Sequence, residues 1–241
     1  MALLEARNVS VRFGGLQAVD DVSLDVEAGT IVGLIGPNGA GKTTTFNAVC
    51  GVQACTGTVT LTGVDVSRDP VHLRAARGLS RTFQRLEVFG SMTVFDNVRT
   101  AAEIAGRAQS RGIGDASSDA GAIVERLGLV PIADRRADSL PTGQARLVEL
   151  GRVLATRPKV ILLDEPASGL NETETVRLAA VLESVKDEGV GVLLVEHDMD
   201  FVMDLCSTIY ALNFGQVIAS GTRNQIRKNK AVQAAYLGSA V

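Results

Sequence analysis

The chain has 241 residues, 46% of them hydrophobic and 21% charged, with a formal net charge of -3. That length suits one large α/β domain or a domain carrying an insertion, and the slight negative balance gives no electrostatic case for nucleic acid as a partner. Cys50, Cys55 and Cys206 form an odd set without Cys-x-x-Cys spacing, which points to reduced thiols of a cytosolic protein and away from a disulfide frame or a zinc site.

In chain order, the opening MALLEARNVS meets Glu5 and Arg7 too early for a signal peptide. Residues 3–13 and 19–27 alternate apolar and polar, as half-buried antiparallel strands do. Residues 30–35 (TIVGLI) are nearly all apolar, as in a strand covered on both faces. A helix over residues 42–50 follows and Gly51 stops it; a strand in GTVTLTG and a helix over residues 70–77 come next. From residue 85 to about 158 the strand signal gives way to helical spacing. TVFDNVRTAAEIAGRA puts Val94, Val98, Ala101 and Ala105 on one stripe, and AIVERLGL and QARLVELGRVLAT read likewise. The small, polar QSRGIGDASSDAG reads as a flexible loop. Buried parallel strands return in KVILLDEP and GVGVLLVEHD around the helix ETETVRLAAVLESVKDE, the order of a βαβ unit. A hairpin turning at residues 213–215 and two short helices follow, and the basic cluster over residues 223–230 reads as a solvated face. No run is long enough to span a membrane.

Gly36-Pro37-Asn38-Gly39-Ala40-Gly41-Lys42-Thr43 fits G-x-x-x-x-G-K-[ST] in full, after a buried strand and before a helix. Its glycines let backbone N–H groups turn around phosphates, and the helix N-terminus adds a favourable dipole. Lys42 is expected on the β- and γ-phosphates, the Thr43 hydroxyl on Mg²⁺ and Thr44 on the α-phosphate. In VILLDEP an aspartate ends a buried strand, where ligands sit in parallel sheets. Asp164 is the candidate to hold Mg²⁺ and Glu165 to polarise the attacking water. His197, ending the next buried strand, is placed for a γ-phosphate contact, whereas His72 reads as solvated. A GTPase is excluded because the only Asn-Lys pair, Asn229-Lys230, is followed by Ala231 and Val232 and not by x-Asp. No arginine-rich lid of a small nucleotide kinase is evident.

The motifs and their order resemble those of the ATP-binding subunits of ATP-binding cassette (ABC) transporters over almost the whole length. Phe13 in VRFGG stands where that family stacks adenine, Gln84 in RTFQ at its Q-loop, LPTGQ at its signature, SGLN at its D-loop and His197 at its switch histidine. The resemblance implies an α/β P-loop NTPase fold: a mixed sheet core (about residues 1–84 and 159–241), an antiparallel N-terminal β subdomain, and an inserted α-helical subdomain over residues 85–158. It implies ATP and Mg²⁺, with Thr43, Gln84 and Asp164 toward the metal, Glu165, His197 and Gln84 toward catalysis, and Thr142, Gly143 and Gln144 reaching, in trans, the ATP of a second cassette. Partners would be integral-membrane permeases at the cytoplasmic face of a prokaryotic membrane, a second ATPase subunit (a heterodimer, or a homodimer) and, indirectly, an extracytoplasmic solute-binding protein. Two departures stand out: Pro141 and Thr142 replace the usual Ser-Gly of the signature, and Asn171 replaces the D-loop aspartate. RTFQ, MTVFDNV, VEHDMDFV and AYLG resemble branched-chain amino acid importers, with urea or short-amide import, lipopolysaccharide export and a soluble cassette of iron–sulfur cluster assembly as alternatives.

Overall fold

Strands with one apolar face pair into one sheet, and strands apolar on both faces form the centre of the other. The computed structural model describes residues 2–108 and 116–237. Strands β1 (Ala2–Phe13), β2 (Leu16–Glu27), β4 (Thr56–Leu61) and β5 (Val64–Asp65) form an antiparallel sheet in the order β2-β1-β4-β5. The second sheet runs β10-β9-β3-β8-β7-β6, from β3 (Ile31–Ile35), β6 (Leu79–Arg81), β7 (Val160–Asp164), β8 (Gly191–Val195), β9 (Thr208–Asn213) and β10 (Gln216–Gly221). Its pairings are parallel except for β10 on β9, so it is mixed, as the resemblance implied.

Every residue of β3, β7 and β8 is buried, and alternation along them divides two cores. Val32, Leu34, Val160, Leu162, Leu193 and Val195 join the antiparallel sheet and α1 (Lys42–Cys50). Ile31, Ile35, Ile161, Leu163, Val192 and Leu194 join the helices on the other side. These include α5 (Thr142–Ala155), α6 (Glu172–Asp187) and α7 (Met199–Leu205). Each such aliphatic side chain contributes about 1.5–3 kcal/mol when fully buried. Between β6 and β7 in the chain, α3 (Val94–Ala108), α4 (Ala116–Arg126) and α5 pack on one another. Helix α2 (Val71–Ala76) precedes β6, and α8 (Arg223–Lys228) and α9 (Lys230–Leu237) follow β10. None of the described helices is long and apolar enough to cross a membrane, and all three cysteines are free thiols.

Local readings needed correction in four places. The expected loop QSRGIGDASSDAG is helical from Ala116 onward, because Ala116, Ala120 and Val124 bury one stripe at four-residue spacing; residues 109–115 of it lie outside the described residues. On α3 the buried stripe is Val94, Val98 and Ala102, with Ala101 and Ala105 half-buried. The hairpin turns at Phe214 and Gly215, since Asn213 still belongs to β9. Helix α7 was not expected from VEHDMDFV; Asp198 Oδ1 caps it by accepting the N–H groups of Asp200 and Phe201 at 3.0 and 3.1 Å. Because β3, β6, β7 and β8 are parallel, their carboxyl ends share one edge, where ligands of such sheets bind.

Candidate active site

The turn from β3 into α1 is built to leave amides free. Gly41 caps α1 at φ +104° without a side-chain hydrogen bond, and the first turn carries no acidic residue. The unsatisfied N–H groups and positive dipole end are therefore available to an anion. Glycine is required at two points: a Cβ at Gly36 would stand 2.3 Å from Leu212 O, and one at Gly41 2.7 Å from Ala18 O. Lys42 folds back so that its Nζ donates to Gly36 O at 2.6 Å and Pro37 O at 3.0 Å. Burial pulls its ammonium below the usual range, opposed by the carboxylates of Glu165 and Asp164.

Those carboxylates end β7. Asp164 is buried, and its Oδ2 accepts from Arg81 Nη2 at 3.0 Å, while Oδ1 has no partner among the described residues. Burial raises the Asp164 carboxyl above its ordinary range, against the pull of Arg81. Arg81 ends β6 and is fixed independently: Nη1 donates to Asn47 Oδ1 on α1 at 2.5 Å, and the guanidinium lies over the rings of Phe46 and Phe83. Glu165 turns out of the strand at φ +52°, its N–H on Val195 O at 2.9 Å. His197 Nε2–H donates to Glu165 Oε1 at 2.6 Å. The buried Glu196 accepts the backbone N–H of Ala167 at 2.7 Å and of His197 at 3.0 Å, tying the residue after β8 to the loop after β7.

Of these groups Lys42, Glu165 and His197 line a cleft of about 450 Å³ together with Phe13, the rest of Gly39 to Thr44, and Gln84, whereas the buried Asp164 is not among its lining residues. Gly36 and Pro37 back the loop through their carbonyls on Lys42. Asn38 also lines the cleft. Thr142, Gly143 and Gln144 are not part of it. They open α5 with Pro141 as N-cap, and pack on the neighbouring turn: a Cβ at Gly143 would meet Glu174 Oε2 at 2.4 Å. Asn171 caps α6 there, in a capping box with Glu174. An amide oxygen performs that cap as a carboxylate would.

Sequence reasoning missed the connection behind Gln84. Arg146 on α5 donates to Phe83 O at 2.9 Å and Gln84 O at 2.7 Å. Glu149, one turn on, faces Arg146 at 3.4 Å, both side chains being under a tenth exposed. Arg152, a further turn along, donates to Glu87 O and covers the Phe89 ring at 4.3 Å. The signal was present as the 146, 149, 152 spacing in ARLVELGR, three charges on one stripe of a mostly buried helix. On α3, buried Asn97 pins the same loop by accepting Phe89 N–H at 2.8 Å and donating to Phe89 O at 3.0 Å.

Among the described residues no cluster of three or more His, Cys, Asp or Glu side chains could hold a metal by itself. Mg²⁺ asks for less, one or two carboxylates together with hydroxyls, waters and substrate phosphates. The unpartnered Oδ1 of Asp164 fits that need.

An amide cradle and a carboxylate pair at the carboxyl edge of a parallel sheet define the class: a P-loop nucleotide hydrolase. Residues 19–168 match the family described as ABC transporter, and residues 216–241 match that described as branched-chain amino acid ATP-binding cassette transporter. The chain belongs to the ABC transporter family as one of its ATP-binding cassettes, and it is an ATPase. It is 41% identical to the high-affinity branched-chain amino acid transport ATP-binding protein BraF of Pseudomonas aeruginosa, over 99% of this chain and 98% of that protein. It is 36% identical to the lipopolysaccharide export system ATP-binding protein LptB of Escherichia coli, over 99% and 98%. A solved nucleotide-free cassette of an ABC transporter superposes with a TM-score of 0.86 at 29% identity, covering 98% of this chain and 99% of that one.

Proposed function

We propose that the chain hydrolyses ATP as one subunit of a branched-chain amino acid importer, docked on the cytoplasmic face of integral-membrane permeases. The observation that carries this reading is the convergence of Lys42, Gln84, Glu165 and His197 on one cleft, in a chain whose residues 216–241 match the branched-chain amino acid group. Phe13 stacks the adenine, and the backbone N–H groups of the loop from Gly36 to Thr44 hold the triphosphate, apart from Pro37, which has none, and Ala40, which donates to Pro37 O at 3.1 Å. Lys42 exchanges its two carbonyl partners for β- and γ-phosphate oxygens. Thr43, Asp164 and Gln84 hold Mg²⁺, which supplies charge neutralisation at the phosphates when bound. Glu165 takes the proton of the attacking water while His197, hydrogen-bonded to it at 2.6 Å, steadies the carboxylate and reaches the γ-phosphate. Pro141 and Thr142 leave Gly143 and the α5 dipole to face the ATP of a second, related cassette, and a heterodimer supplies the better signature to this chain's own site. A solute-binding protein delivers cargo to the permeases from the other side.

The permease contact lies beside Gln84. A second cleft of about 450 Å³ opens between α2, β6, α3 and α5, with Val71, Phe83 and Ile104 exposed in it. It suits an amphipathic helix end from a permease, and Glu87 of the segment that follows Gln84 lines it. Reconstitution of the chain with two permeases and a partner cassette in liposomes tests the proposal: ATP-driven leucine uptake is expected, whereas transport of urea or extraction of lipopolysaccharide would reassign it. Ile104→Asp should lower uptake about tenfold, the loss of one buried apolar contact, with hydrolysis by the isolated chain unchanged; undiminished uptake would remove this cleft as the docking site.

A further inference from the structure

Phe214 is 86% exposed, more than any other large apolar side chain among the described residues. Its backbone lies at φ +45°, a left-handed conformation that costs a bulky residue free energy and that glycine or asparagine would adopt more easily. Nor is the turn loose. Gly215 N–H donates to Ala40 O at 2.9 Å, and Asp20 N–H donates to Gly215 O at 2.8 Å. A Cβ on Gly41 would lie 3.4 Å from Gly215 Cα. The β9–β10 turn is thus fastened both to the phosphate loop and to β2, and it carries a phenyl ring held in water at the cleft's edge.

Phe214 lines the same cleft as Phe13 and Leu16, which are 48% and 66% exposed. A triphosphate is charged along its whole length and offers such side chains nothing. The one part of ATP that rewards aromatic and aliphatic surface is the base, whose faces stack on rings. We propose that Phe214 is a second base-contacting residue of the nucleotide site, so that the base is gripped by the β9–β10 turn as well as by Phe13. The proposal rests on the ATP reading above and deepens it. Ring stacking does not read the hydrogen-bonding edge of a base, so this contact adds affinity for purine nucleotides without separating ATP from GTP.

The chain contains no tryptophan, so Phe214→Trp places a single reporter at the site. Titration with Mg-ATP should quench its emission, while Mg-tripolyphosphate, which carries no base, should compete for the cleft without quenching. Calorimetry should show ATP about tenfold weaker in Phe214→Ala, the lower end of stacking losses, with tripolyphosphate affinity unchanged and Phe214→Tyr restored. Phe214→Gly should repeat the loss with no fall in melting temperature, since glycine relieves the turn. ATP affinity unaltered in the alanine and glycine variants overturns the proposal, including the case in which assembly with a partner subunit falls instead. Equal losses for ATP and tripolyphosphate overturn it too. Should the unaltered chain bind neither, the nucleotide reading fails with it; binding of both, with no dependence on residue 214, removes this proposal alone.

Discussion

Replacing Glu165 by glutamine should lower steady-state ATP hydrolysis by about two to four orders of magnitude, the range that a positioned general base contributes, while leaving Mg-ATP binding intact. The substitution is conservative in geometry. Glutamine keeps an oxygen that accepts from His197 Nε2–H, as Glu165 Oε1 does at 2.6 Å, and the φ of +52° at this position is no harder for it than for glutamate. What it removes is the capacity to take a proton from water. If hydrolysis is what reopens a closed pair of cassettes, the variant should also accumulate as a nucleotide-bound dimer in gel filtration. Turnover like that of the unaltered chain would end the assignment of Glu165 as base.

Arg146→Met should cost about 3 kcal/mol of folding stability, the low end for breaking a buried ion pair. It takes from Glu149 its cation and from Phe83 O and Gln84 O their donor, all in a region where Arg146 and Glu149 are under a tenth exposed. The pH dependence separates this cause from a simple packing loss. Burial already holds the Glu149 carboxyl above the usual range, opposed by the Phe83 N–H and by Arg146. Without Arg146 the folded-state value rises further. A group raised on folding contributes stability that is fully present below its unfolded value, near 4.3 for glutamate, and is lost as pH climbs through the folded value. The deficit of the variant should therefore be small in mild acid and widen toward neutrality in chemical denaturation. A deficit constant with pH would point to packing alone. A second consequence is kinetic. Arg146 lies one turn into the helix that Thr142 and Gly143 begin, and it holds the carbonyl of Gln84. Freed from it, Gln84 should follow bound nucleotide without moving α5, and hydrolysis by the assembled transporter should lose its dependence on transported solute.

The lines of chemistry that the sequence made legible are those in which backbone pattern and residue type coincide. The phosphate loop, the carboxylates after β7 and the histidine after β8 sit where an apolar run stops, because in a parallel sheet the buried strand's end is also the ligand edge. Features that depend on side chains meeting across distant segments were harder to see. Arg81 on Asp164, 83 positions apart in the chain, leaves no periodic trace, and the 146, 149, 152 stripe shows charges on a buried helix face without showing that Gln84 O, 62 positions from Arg146, is what they meet. Arg81 stood in view within RTFQ without a partner to give it meaning. Short elements escaped for another reason: three residues of β6 are too few to show alternation, and α7 rests on an aspartate cap inside a stretch that otherwise ends a strand. Phe214 was legible only as part of a turn, since exposure is a property of the folded chain.

The most direct test of the whole account is calorimetric titration of the purified chain with Mg-ATP, beside Lys42→Ala. Saturable one-to-one binding by the unaltered chain is expected, with a loss of about a hundredfold or more in the variant, because a buried ammonium meeting phosphate is a charge-assisted contact whose removal costs about 3 kcal/mol. No binding by the unaltered chain, or equal binding by both, would contradict it.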